Sequence, residues 1–162
     1  MNERIGEELR AKLLELAQVQ GAHPGDLDDE HERWALYLAV IRQGAGTALL
    51  FDLLPLEPDL ALASSVVVNL VEGSAPGERR AWLSRIPREA REYPETRVAE
   101  LETVDAVLAG RLGADDVAAG LDSWSNWLQF RMADHVEDPA VLEILAEHGR
   151  TKRIRRRAAE GL

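Results

Sequence analysis

Apolar residues recur along this chain at helical spacing almost throughout. Ile5, Leu9, Leu13, Leu16 and Ala17 repeat every three or four residues, predicting an amphipathic helix over 2–20 that ends at Gly21. A Pro24–Gly25 turn follows. Asp28 is the expected N-cap of a second helix, with Asp29, Glu30 and Glu32 near its positive dipole end. That helix carries Trp34, Leu36, Tyr37, Leu38, Val40 and Ile41 and stops at Gly44 or Gly46. A short apolar helix over 47–56 is closed by Pro55 and Pro58. Residues 60–71 contain a valine triplet that suits a strand, but Ala61, Ala63, Ser64 and Ser65 continue a close-packed helical surface, so we read a helix.

The pattern continues past a turn at 73–77. Residues 78–86 predict a short helix with Trp82, Leu83 and Ile86 inward, and 87–94 a polar bridge. Val98, Leu101, Val104, Leu108 and Leu112 form one stripe of a helix over 95–112, with Gly113 as its C-cap. Val117, Leu121, Trp124, Leu128 and Met132 keep one face for several turns, divided near Gly120 and recapped by Asp122 or Ser123. Two further helices, over 139–148 and 151–161, are separated at Gly149. No hairpin signal or alternating strand pattern occurs. The expected fold is therefore all-α, with eight or nine short helices in one domain of 162 residues.

A weak internal repeat refines this expectation. Sliding the chain by 26 residues aligns Ala35, Leu36 and Ile41 with Ala61, Leu62 and Val67, and Leu128, Met132 and Ala133 with Ile154, Ala158 and Ala159. The Ile154-Arg155…Ala158-Ala159…Leu162 pattern resembles the first helix of a HEAT-type repeat. Asp138–Leu145 resembles a HEAT second helix, and Pro58–Leu70 is similar without the arginine. The resemblance covers 28–71 and 122–162; the stretch 73–112 departs from it. It implies a right-handed α-α superhelix, a HEAT-like array whose helix pairs bury small-residue faces on one another and leave a concave surface for a partner. In such an array the last helix is a cap, held by Ile154, Ala158 and Leu162.

Composition excludes several classes. At 46% hydrophobic and 30% charged residues the chain is globular, and no apolar run approaches the roughly 18 residues of a membrane span. The charged start, MNERIGEELRAK, lacks the apolar core of a signal peptide. Without cysteine there are no disulfides, thiolate metal sites or cysteine nucleophiles. We expect a cytoplasmic bacterial protein, the arginine and alanine richness suggesting a GC-rich, actinobacterial-type genome.

The net charge of −10 is unevenly placed. Residues 150–162 hold six basic residues against one acidic, leaving the rest at −15. An acidic body disfavours nucleic acid at long range. Arg150, Lys152, Arg153, Arg156 and Arg157 form a candidate anion site for phosphate, nucleic acid or an acidic protein; the alternative is a solvated helix end that complements the dipole and the acidic body. Trp124 belongs to the apolar stripe. Trp127, Phe130 and Arg131 lie on an adjacent face and form a candidate interface anchor, the alternative being burial against the preceding helix.

The acidic run around His31 lacks calcium-loop spacing and reads as a capped helix start. His23, His31, His135 and His148 form no metal pattern. Neither a phosphate loop nor a nucleophile elbow is present. The expectation is a non-enzymatic interaction module, an adaptor, inhibitor or immunity-type protein, without cofactor and either monomeric or homodimeric. It would bind a basic partner protein through an acidic and aromatic surface; nucleic-acid or phosphate binding by the last helix is the alternative.

Overall fold

A computed structural model describes residues 4–162. It contains ten α-helices and four single turns of 3-10 helix, and no strand among the described residues. The helices are α1 (Glu7–Gln20), α2 (Glu30–Gln43), α3 (Thr47–Leu53), α4 (Leu60–Gly73), α5 (Arg79–Leu83), α6 (Glu92–Leu108), α7 (Ala114–Gly120), α8 (Asn126–His135), α9 (Pro139–His148) and α10 (Lys152–Glu160). None is long and apolar enough to cross a membrane. Residues pack into two compact units, Met1–Val98 and Ala99–Leu162, with the boundary inside α6.

In the first unit α2 packs on α1 and α4, α1 on α3, and α4 on α5. Leu13, Leu16, Tyr37, Leu50, Leu53, Val66 and Val67 are fully enclosed. Trp82 meets the Phe51 ring edge-on at 5.2 Å, and Arg85 lies over Phe51 at 4.5 Å while donating to its carbonyl. The predicted first helix starts late: Gly6 is its N-cap, Ile5 lies buried ahead of it, and residues 2 and 3 fall outside the described ones. Asp28 is not the cap of α2. It accepts from the Ile5 N–H at 3.0 Å and pairs with Arg10 at 2.6 Å, while Asp29 caps α2 by accepting from His31 N–H. The valine triplet is helical because Asp59 caps α4, accepting from Leu62 N–H, and Val66, Val67 and Val68 all find core partners. Tertiary burial outweighs β propensity there.

The first unit also buries charge. Arg33 and Glu57 form a bidentate pair, with both N···O distances 3.0 Å. Their side chains are 4% and 0% exposed, so both groups are almost completely desolvated. A complete polar shell offsets that desolvation: Tyr37 Oη donates to Glu57 at 2.7 Å, Asp59 N–H donates at 3.1 Å, and Arg33 donates to the Leu27 carbonyl at 2.9 Å. Burial works against the Arg33 charge, but hydrogen bonding and attraction from Glu57 outweigh it and hold the guanidinium firmly protonated. Burial first, and Glu57 second, push the Tyr37 phenol far above its ordinary value, so it stays a donor.

The second unit encloses Val117, Met132, Val141, Leu142, Leu145, Ile154 and Ala158. Helix α10 packs on both α9 and α8, and α7 on α9. Helix α6 ends at Leu108, four residues before the predicted stop, because Gly110 takes a left-handed φ of 75°. Gly113 is then the N-cap of α7 and not a C-cap, its N–H donating to Asp116 at 2.8 Å. Val107, three residues after Val104, continues the buried stripe in place of Leu108, which is 54% exposed. The long face from Val117 to Met132 is broken by a 3-10 turn at Leu121–Ser123. Ser125, and neither Asp122 nor Ser123, caps α8.

Gly149 forms the corner between α9 and α10. A Cβ there would lie 2.5 Å from the Leu145 carbonyl oxygen and 2.7 Å from Ile154 Cγ2, so only glycine lets the two helices close. Ile154 and Ala158 are buried as expected, but Leu162 is 62% exposed and holds nothing; Gly161 has already left the helix, and Leu162 follows it into solvent.

Candidate functional site

Each unit offers one surface with chemical character. On the second, the predicted aromatic and cationic residues come together. Trp127, Phe130 and Arg131 sit on α8, and both rings pack half-buried on the core. The Arg131 guanidinium lies 5.7 Å from the Trp127 ring, an intrahelical pair at spacing four. From α10, Arg153 covers the Phe130 ring at 4.2 Å. The aromatic face is thus partly roofed by guanidinium groups, and the interface and anion candidates form one continuous surface.

The other predicted cations divide by their work. Arg150 is a staple: its guanidinium donates to Asn126 Oδ1 and to the Asp122 carbonyl, both at 3.0 Å, and its N–H to Gln129 Oε1 at 2.9 Å. Gln129, only 1% exposed, also donates to the Leu121 carbonyl, so one buried amide ties the 3-10 turn to the start of α10. Arg155 donates to the Gly149 carbonyl. Arg157 pairs with Asp134 at 2.6 Å and with Glu160 at 3.3 Å. That hydrogen bond from Arg157 holds the Asp134 carboxyl below the usual range. Lys152 and Arg156 point outward, while Arg153, also exposed, lies over Phe130. Arg156 reaches only Glu160, at 3.9 Å and 79% exposed, a geometry worth little.

The surface on the first unit escapes the residue patterns. An open groove of about 400 Å³ runs between the start of α4 and the start of α6. Leu60, Ala61, Ala90 and Tyr93 give it an apolar lining, and Glu89 and Glu92 add two carboxylates. Leu60 and Tyr93 are among the few large apolar side chains left in solvent, at 43% and 54% exposed. Arg97 holds the Tyr93 ring in place, stacking at 5.5 Å and donating to its hydroxyl at 3.0 Å, and is itself anchored by Glu72. Across Ala61, a second hollow of about 280 Å³ adds Trp34, Glu30 and Asp59. Small side chains on α4 (Ala61, Ser64, Ser65) keep this strip low. Its signal in the sequence is faint: Tyr93 stands near two glutamates in a stretch that reads as a polar bridge.

Asp29, Glu30 and His31 bring one ligand atom each within 4.8 Å of one another. Asp29 is already engaged with the His31 N–H and ring, as a capped helix start requires. No known family matches this chain, and no curated protein or solved structure is significantly similar to it.

Proposed function

We propose that this protein is a non-enzymatic interaction module that holds a basic partner protein on an acidic and aromatic surface. The observation that carries this reading is the groove beside α4, which exposed Leu60 and Tyr93 line together with Glu89 and Glu92. Exposed aromatic and aliphatic anchors flanked by charge are the composition of binding hot spots and their rims. The acidic excess of the chain outside residues 150–162 draws a basic partner in and sets its orientation. The corner of α9 and α10 at Gly149 supports a HEAT-like helix pair, and with it a right-handed superhelical array in an adaptor, inhibitor or immunity-type role in the bacterial cytoplasm.

An arginine- and leucine-containing peptide, titrated against the protein and followed by fluorescence anisotropy, tests the reading. Glu89→Lys with Glu92→Lys should weaken binding at least tenfold. A charge-matched control, Glu143→Lys with Glu147→Lys on exposed positions of α9, should change it only slightly. Equal losses from both variants would reduce the effect to net charge and defeat the groove.

A second reading, anion or nucleic-acid binding by α10, is favoured by the exposed Lys152, Arg153 and Arg156. It is weakened by the internal engagement of Arg150 and Arg157. A gel shift at low salt decides it: a shift lost on changing Arg153, Arg156 and Arg157 to Ala supports it, and no shift by the wild type removes it.

A further inference from the structure

We propose that the occupant of the α4 groove is the Lys152–Arg156 face of α10 from a second copy of this chain. The inference rests on the groove being a docking site for a basic segment. The first argument is charge complementarity within one sequence. The carboxylate residues lining the groove and the adjoining hollow, Glu89, Glu92, Glu30 and Asp59, are joined there by no lysine or arginine among the described residues, so the chain's own densest cationic patch is their complement. The second is availability. Ile154 and Ala158 face inward, so Lys152 and Arg156 stand together on the opposite side of α10. Lys152 and Arg156 are the cations free to dock; Arg153 covers Phe130 and reaches the groove only by leaving that ring. Arg150, Arg155 and Arg157 hold the fold, so docking need not break them.

The third argument is shape. Helix α10 has nine residues, about 13 Å long. Glu89 and Glu92 line one hollow, and Glu30 and Asp59 the other, with low Ala61 shared by both. A short helix can lie across this strip with the aliphatic stems of Lys152 and Arg156 over Leu60 and Tyr93 and their charged heads toward the carboxylates. The contact joins two different patches, so it is heterologous.

Sedimentation velocity over a concentration series, at low and at high salt, tests the proposal. The wild type should associate at low salt and dissociate as salt is added. Glu89→Lys with Glu92→Lys should be monomeric alone, and so should Lys152→Glu with Arg153→Glu and Arg156→Glu. Their equimolar mixture, in which each groove again meets an opposite charge, should associate. Circular dichroism melts of each variant report folding separately. A wild type that stays monomeric at millimolar concentration and low salt overturns the proposal, as does association untouched by either swap. If the wild type is monomeric yet its groove still binds the basic peptide, self-docking fails and the docking reading stands. If neither occurs, both fall.

Discussion

The two units place charge in opposite ways. The first carries it inside: Arg33, Glu57 and Tyr37 form a closed polar cluster in the middle of an apolar core. The second encloses a core of aliphatic residues and Met132, with Gln129 as its buried polar side chain, and sets its arginines outside as staples across α8, α9 and α10. A buried charge is intolerant of losing its partner, because desolvation is already complete. A surface staple is screened and replaceable. The first unit should therefore fail at single residues, and the second should lose stability gradually.

The largest effect should come from Glu57→Ala, which strands Arg33 and Tyr37 in the core. We expect a loss of about 3–5 kcal/mol in urea unfolding. Hydrogen exchange should show protection lost first over residues 27–71. A loss under ~1 kcal/mol would erase the contrast between the units. Next is Gly149→Ala. Its Cβ meets a backbone carbonyl, which cannot rotate away, so α9 and α10 must part, at about 1–3 kcal/mol. A thermal melt reads this, and an unchanged midpoint would show that the corner is slack.

Arg153→Ala should be milder, about 0.5–1 kcal/mol, through the lost guanidinium cover on Phe130. Added quenching of tryptophan fluorescence by iodide would show whether the neighbouring Trp127 becomes more accessible as well. The smallest effect should be Asp134→Asn, under about 1 kcal/mol near neutral pH. Its pH signature is more telling. The folded carboxyl is held below its unfolded value by Arg157, so its stabilisation is complete above about pH 4 and is lost as pH falls through the lowered folded value. Asp134→Asn should flatten that acid limb of the melting midpoint; an unchanged limb would mean the pair does not couple to folding. Asp28, lowered chiefly by the Ile5 N–H, should give the first unit a limb of the same sign.

Much of the helical content is legible in the residue pattern. Three- and four-residue spacing locates the helices, and Asp59, Pro139 and Thr151 mark starts that the fold keeps. Differences gather at the ends. Asp28 and Asp29 are equally good caps by chemistry, and the choice between them is made by Ile5 and Arg10 arriving from elsewhere in the chain. Gly110 and Gly113 are both able to stop α6, and the earlier one does so. Of the candidate surfaces, the aromatic and basic residues of α8 and α10 are visible as patterns, but their stacking into one surface is not. The groove leaves only a faint pattern because its two sides, Leu60 on α4 and the 89–93 stretch, lie far apart in sequence.

Sequence alone determined the class of this protein: all-helical, without thiol chemistry, acidic with one basic end. These follow from periodicity and composition, which act locally or as sums and need no knowledge of neighbours. Tertiary structure decided what each charge does. Glu57 and Glu89 are both glutamates beside a proline or an arginine, and nothing nearby in sequence makes one an enclosed ion-pair partner and the other part of the lining of a groove. Burial and distance set that difference, because the energy of a charge depends on how much water it keeps and which opposite charge stands within reach.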